Sequence, residues 1–317
     1  MKRNKEFYGT LLAVCTAIIS GVAIFANKIF IVDMDPTIFT AVRAIFIGII
    51  FFVISSVQVK FDYKKFKKIP WKYLLVIGII GGGVAFLMFF TGLKFTTGGR
   101  AAFLHKTLPL YTTLLAFVFL KERITQKQLT ALIFMFIGTI VLYSAVITPT
   151  EMWLNPGLGD LLIIGATIFW GIENVVAKKA MMLKESNLVV GFGRMFFGAL
   201  ILFGVVLLTG KLDLLFTLQP HQTANLLIST AILFGFVLTY YWSLKYINVS
   251  KASSILLLAP VITLLLGVGF LGEPAPAVQL AGSAIILIGA YLILGVKSEH
   301  RFGFGLKKKE FRLEKEI

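Results

Sequence analysis

One cysteine, three histidines and fifteen acidic residues are all that this chain of 317 residues offers of the side chains most used for chemistry. Cys15 has no second cysteine to join, so an internal disulfide is excluded, and no companion stands at metal-ligand spacing. His105, His221 and His300 are far apart, with no serine or cysteine nucleophile arranged beside them. The glycine run at 81–83 lacks the following Gly-Lys-Ser/Thr of a phosphate loop. No cofactor, no metal and no catalytic residue is therefore expected. Charge of either sign is sparse too, at 15% of the chain against about a quarter in soluble domains.

What is present instead is apolar length. Hydrophobic residues make up 58% of the chain and the mean hydropathy is +0.90. Ten stretches are long enough to cross a hydrocarbon core: 8–31, 36–57, 73–93, 97–119, 128–147, 160–181, 188–209, 223–244, 251–271 and 276–296. The first follows Lys2, Arg3 and Lys5 like a signal peptide, but its length suits a retained span. The fold class is thus an all-α polytopic membrane protein of ten transmembrane helices.

The net charge of +16 raises the question of nucleic acid, and the placement of the cations answers it. Of the 31 Lys and Arg, 24 fall on one side: the N-tail, the 58–72 loop, Lys121, Arg123, Lys127, Lys178, Lys179, Lys184, Lys245, Lys251 and the C-tail. The other side holds only Lys94, Arg100 and Lys211, while Lys28, Arg43, Lys106 and Arg194 lie inside spans. This bias predicts both termini in the cytoplasm, a plasma-membrane location, and anionic lipid rather than nucleic acid at the basic face.

The chain repeats itself. A shift of 151 residues pairs Arg43 with Arg194, Leu93-Lys94 with Leu244-Lys245, Pro109 with Pro260, Glu122 with Glu273, Gln128 with Gln279 and Gly138 with Gly289. Upstream, a shift of 150 pairs Gly9 with Gly159, Gly21 with Gly171 and Lys28 with Lys178. The expected organisation is a first repeat at 1–150 (spans 1–5), a second at 151–298 (spans 6–10) and a basic tail at 299–317. Five spans per copy is an odd number, so the copies lie inverted to one another. That plan belongs to alternating-access transporters, whose substrate site sits near mid-bilayer between the halves.

Two segments also carry a family resemblance. Leu108-Pro109 through Phe119-Leu120-Lys121-Glu122 and Gln128 to Gly138, and their second copies Ala259-Pro260 through Phe270-Leu271-Gly272-Glu273 and Gln279 to Gly289, resemble the drug/metabolite transporter superfamily, EamA type. The resemblance covers essentially the whole chain. It implies a ten-helix fold whose central cavity is lined by spans 1, 3, 4, 6, 8 and 9, with spans 5 and 10 at the periphery. Relatives of this type move amino acids, metabolites, nucleotide sugars or drugs, so the motif identifies fold better than substrate.

Charge inside a span is costly, so each such residue is a candidate for function. His105 and Lys106 sit deep in span 4 and Glu173 deep in span 6. Lys106 and Glu173 are expected to face each other and neutralise, as a fixed pair or as one that a substrate or proton opens; Glu173 and His105 are the candidates for proton coupling. Helical spacing puts Thr16, Ser20, Ala23 and Asn27 on one face of span 1, matched by Ala166, Trp170, Glu173 and Ala177 on span 6. Asn27, Trp170 and Asn174 are candidate substrate contacts on these faces, together with His105, Lys106 and Glu173. Arg43 and Arg194 lie about seven residues inside opposite faces, a depth from which a guanidinium can snorkel to the interface; substrate contact or gating is the alternative. Lys28 and Lys178 are candidate gate charges that pair with carboxylates in one state.

Tyr240, Tyr241 and Trp242 read as interface anchors, with Tyr240 and Trp242 as aromatic walls for a substrate in the rival reading. Gly81-Gly82-Gly83 permits bending or close approach, and Pro109 and Pro260 are candidate hinges. Glu122 and Glu273 are shallow and are expected to contact backbone or lysine at helix junctions. The function these features point to is secondary transport of a small polar or amphipathic metabolite, an amino acid or organic anion, by a monomer, with or without proton coupling. An uncoupled facilitator or multidrug exporter of the same fold is the alternative; a membrane-embedded enzyme or a non-transporting sensor fits less well.

Overall fold

The computed structural model describes residues 2–31, 33–58, 69–148, 154–183 and 185–297. Most of the basic 58–72 loop, Lys184 and the tail beyond residue 297 lie outside them.

Ten helices are long and apolar enough to cross a membrane. They are α1 (Lys5–Phe30), α2 (Pro36–Val57), α3 (Trp71–Leu93), α4 (Gly98–Leu120), α5 (Gln126–Tyr143), α6 (Leu158–Met182), α7 (Asn187–Leu208), α8 (Pro220–Leu244), α9 (Val249–Leu271) and α10 (Ala277–Leu294). Without water in the hydrocarbon, a backbone satisfies its own polar groups only as a helix here, and the ends are capped locally. The Thr97, Thr125 and Ser186 hydroxyls accept the N–H groups of Arg100, Gln128 and Leu188. Large apolar side chains such as Phe46, Phe117, Leu208, Phe270 and Tyr291 point outward, as lipid-facing surface requires.

The inverted repeats are intertwined. In the first copy α1 packs on α8 and α9 of the second, and in the second copy α6 packs on α3 and α4 of the first. The α2 helix packs along α7, and α5 pairs mainly with α10. That last pairing runs through Gly138 against Ile286 and Gly282, and Gly289 against Met135, which leaves spans 5 and 10 as a peripheral pair.

Four spans depart from regular α-helix, and their departures are paired. The α4 helix breaks at Lys106-Thr107, between Gly98–His105 and Leu108–Leu115, and α9 tightens to a 3-10 turn over Leu256–Leu258. Each irregularity stands just before the repeat-related prolines, Pro109 and Pro260, which lack the N–H that would close the preceding turn. The α3 helix widens to a π-helix over Ile77–Val84, and α7 does so over Gly193–Phe197; these two wide segments pack on each other.

Candidate substrate and coupling site

The α3–α7 contact is built backbone on backbone. A side chain at Gly82 would overlap the Arg194 carbonyl and crowd Gly198, and one at Gly81 would overlap the Glu173 side chain. Gly81 thus makes the space in which a carboxylate from α6 lies, and its carbonyl accepts the Trp170 indole N–H at 3.0 Å.

Glu173 is fully buried, and its partners come from two other helices. The Tyr241 hydroxyl of α8 donates to Oε1, and Arg194 Nη1 of α7 stands 3.5 Å from Oε2. Arg194 also donates to the Tyr241 hydroxyl at 3.4 Å. Glu173 Oε2, Arg194 Nε and the Tyr240 hydroxyl are buried without a hydrogen-bond partner among the described residues, so this cluster holds polar capacity in reserve.

The expected Lys106–Glu173 pair is therefore replaced by Arg194–Glu173. Both α4 and α6 start at the face opposite the basic one; Lys106 comes eight residues after Gly98, whereas Glu173 comes fifteen after Leu158. Seven residues of helix separate their levels by about 10 Å. Lys106 is 6% exposed, and its ammonium makes no hydrogen bond or ion pair among the described residues.

Trp170, one turn before Glu173, joins an aromatic wall with His105, the residue next to Lys106. The half-buried His105 ring meets Trp170 at 5.0 Å and Phe89 at 5.8 Å between centroids, and Trp170 meets Phe86 and Phe89 at 5.3 and 5.4 Å. Asn174 is buried one residue beyond Glu173. An aromatic wall that includes the neighbour of a buried lysine, with the carboxylate–guanidinium–phenol cluster one turn beyond Trp170, suits an amphipathic guest.

Arg43 and Arg194 do not snorkel. They are 5% and 8% exposed and bond inward. Arg43 Nη1 donates to Ser229 Oγ at 2.8 Å, Nε donates to the Phe39 carbonyl at 3.1 Å, and the guanidinium lies 3.9 Å over the Phe39 ring. Ser229 in turn donates to Asn27 Oδ1 at 2.6 Å. Desolvated interior acceptors on neighbouring helices hold the two guanidiniums where a single amphipathic helix would have sent them to the interface.

Tyr240 and Tyr241 are likewise fully buried rather than interfacial, with Tyr240 stacked on Phe236; only Trp242 is half-buried, edge-on to Tyr8. Tyr241 and Ser229 escaped the sequence reading as site residues. The signal available for Tyr241 was that a phenol in an apolar span must find a partner for its hydroxyl.

At the helix junctions, Lys28 pairs with Glu273 across the ends of α1 and α9, with 60% and 39% of the two side chains exposed. Their repeat mates are arranged otherwise: Glu122 accepts from Val249 N, Ser250 N and Ser250 Oγ at 2.9, 3.2 and 2.7 Å, and Lys178 donates to the Leu244 and Ile247 carbonyls at 2.5 and 2.9 Å. A pocket of about 420 Å³ opens beside Arg100 and Asp160, a pair the sequence did not single out.

Comparison with known proteins agrees with this architecture. The profile of the EamA-like transporter family matches residues 7–144 and again 157–295. An uncharacterized transporter of Bacillus subtilis, YyaM, is 29% identical over 232 residues, covering 70% of this chain and 72% of the relative. A probable amino-acid metabolite efflux pump of Salmonella typhimurium is 26% identical over 313 residues, covering 94% and 96%. One solved crystal structure, 18% identical, superposes with a TM-score of 0.72 over 90% of this chain and 96% of its own, and shows the fold. Two matched halves, ten apolar helices and relatives named as transporters make this a multi-pass membrane protein that belongs to the EamA-like transporter family.

Proposed function

We propose that this chain carries a small amphipathic carboxylate, an amino acid or organic anion, across the plasma membrane by alternating access. The observation that supports this is Lys106: a buried ammonium with no protein partner among the described residues, at the break of α4, beside the wall of His105, Trp170 and Phe89. A buried cation is costly unless an anion joins it, and the guest's carboxylate supplies one while its apolar body lies on the aromatic wall. The likeness to the amino-acid metabolite efflux pump supports the same substrate class. In this reading both termini face the cytoplasm, the basic face lies on anionic lipid, the carrier works as a monomer without a cofactor, and catalysis plays no part.

Glu173 is the candidate for proton coupling. A second reading, an uncoupled facilitator, draws on the finding that Glu173 is already held by Arg194 and Tyr241, a pair that can serve packing alone. Uptake of labelled amino acids and organic anions into liposomes, with and without a proton gradient, separates them. Gradient-driven accumulation that Glu173→Gln loses while retaining exchange makes the protein a coupled carrier; equal equilibration under both conditions makes it a facilitator. Flux of carboxylates unchanged by Lys106→Gln removes the proposed anchor, and no flux for any carboxylate overturns the substrate class.

A further inference from the structure

Arg43 and Arg194 occupy equivalent positions in the two repeats, and only one of them has a carboxylate. Arg194 faces Glu173 on α6. By the 150-residue shift, the position equivalent to Glu173 in the first repeat is Ala23 on α1. Arg43 accordingly has only neutral acceptors among the described residues, the Ser229 hydroxyl and the Phe39 carbonyl, and no ion pair. Its side chain is as buried as that of its mate, so the desolvation cost is present without the opposing charge.

The hydrogen bonds around Arg43 have a direction. Ser229 Oγ accepts the guanidinium N–H, so its own proton goes to Asn27 Oδ1, 2.6 Å away. That fixes the Asn27 amide with its oxygen toward Ser229 and its NH2 group turned away, and this NH2 donates to no described residue. Asn27 is half-buried, three residues from the end of α1 that carries the exposed Lys28. One guanidinium and one amide donor, with no acid among the described residues to satisfy them, form an acceptor-seeking site near the face opposite the basic one.

The geometry points to a second anion subsite at Arg43, Asn27 and Ser229, which takes the substrate's carboxylate near that face while Arg194 at the other level is occupied by Glu173. This rests on the carboxylate reading above, and it extends that reading from Lys106 to a residue pair on α1 and α2. Arginine suits the task because its planar fork meets both oxygens of a carboxylate.

The repeat also supplies the test. Ala23→Glu places a carboxylate at the repeat position where Arg194 finds Glu173, with Arg43 itself untouched; Ala23→Gln adds the same volume without charge. Binding of benzoate to the purified full-length chain is measured by calorimetry, with benzylamine as the cationic control. Ala23→Glu and Arg43→Gln are expected to raise the benzoate Kd at least tenfold, Ala23→Gln to leave it within about twofold, and benzylamine not to compete. Where Arg43→Gln fails to fold, Ala23→Glu carries the test alone. Benzoate binding that Ala23→Glu leaves within twofold overturns the subsite while the carboxylate reading stands, and so does binding lost in Lys106→Gln but kept in Arg43→Gln. A wild-type protein that binds no benzoate overturns both.

Discussion

The same two side chains stand at both ends of the molecule and do different work. Lys28 and Glu273, half in water, pair with each other. Their repeat mates Lys178 and Glu122 are both buried, and each turns to a helix end: Glu122 to the first N–H groups of α9, Lys178 to the last carbonyl of α8 and to that of Ile247 in the turn that follows. The difference shows that burial decides the role. In water an ion pair is worth little, and helix ends are satisfied by solvent; away from water the unsatisfied N–H and C=O groups are the costlier problem, and the charges go to them. Inverted repeats also exchange environments when a carrier changes state, so these two arrangements are the natural pair to probe for conformational asymmetry.

The comparison can be broken most severely at Glu122. Glu122→Ala strips three hydrogen bonds, leaves the start of α9 uncapped in a buried place, and is expected to cost about 3 kcal/mol, read as a fall in unfolding midpoint in detergent. Glu273→Ala, the same change at the exposed end, should cost well under half as much; equal effects would refute the role of burial. Next in size is Lys178→Met, which leaves the carbonyls of Leu244 and Ile247 without their donor and should cost about 2 kcal/mol.

A third contrast lies one residue earlier. Both α4 and α9 end in the left-handed region, at Lys121 (φ 54°) and at its repeat mate Gly272 (φ 62°). Only the lysine bears a Cβ penalty there, so Lys121→Gly should raise stability by about 0.5 kcal/mol after the entropy of the added glycine is counted. A loss of stability would mean that the contacts of the Lys121 side chain outweigh its backbone strain.

The smallest effects belong to the exposed pairs. Lys28→Gln should change stability by less than about 1 kcal/mol, and the change should shrink further as salt is raised. A second loop pair has a sign in pH. Burial pushes the Asp35 carboxyl up, but the Lys211 ammonium at 2.5 Å and the N–H groups of Ile38 and Thr37 outweigh it and hold the group below its ordinary 3.8. Because the folded value is depressed, the stabilisation is full above the ordinary value and fades as pH falls below it. Asp35→Asn should remove that acid limb from the unfolding midpoint while leaving the rest of the pH profile alone.

Much of the fold was legible because it depends on composition along one dimension. The apolar runs placed ten spans within a few residues of those observed, and the register that matched Pro109 to Pro260 pointed to the irregularities of α4 and α9, though not to the wide segments of α3 and α7. The junction contacts of Glu122 and Glu273 were legible too, since a shallow acid at a helix end has few choices. The partner of Glu173 was not. Lys106 is closer to it in charge logic, but α7 brings Arg194 within reach and α8 brings Tyr241, and no sequence pattern encodes which of several buried cations a helix crossing selects. The inward course of the two arginines failed for the same reason: snorkelling is a property of one helix in lipid, whereas Ser229 and Glu173 belong to others.

By itself, then, the sequence determined that the chain crosses the membrane ten times in two inverted copies, because hydrophobic length, charge bias and internal register are properties of the chain read in order. Only the tertiary structure decided which buried charges meet. It joined Glu173 to Arg194, gave Arg43 a serine and left the Lys106 ammonium without a bond among the described residues. The physical reason is that desolvated charges are settled by distances of a few ångströms between helices far apart in sequence, set by packing as local as Gly81 making room for one carboxylate.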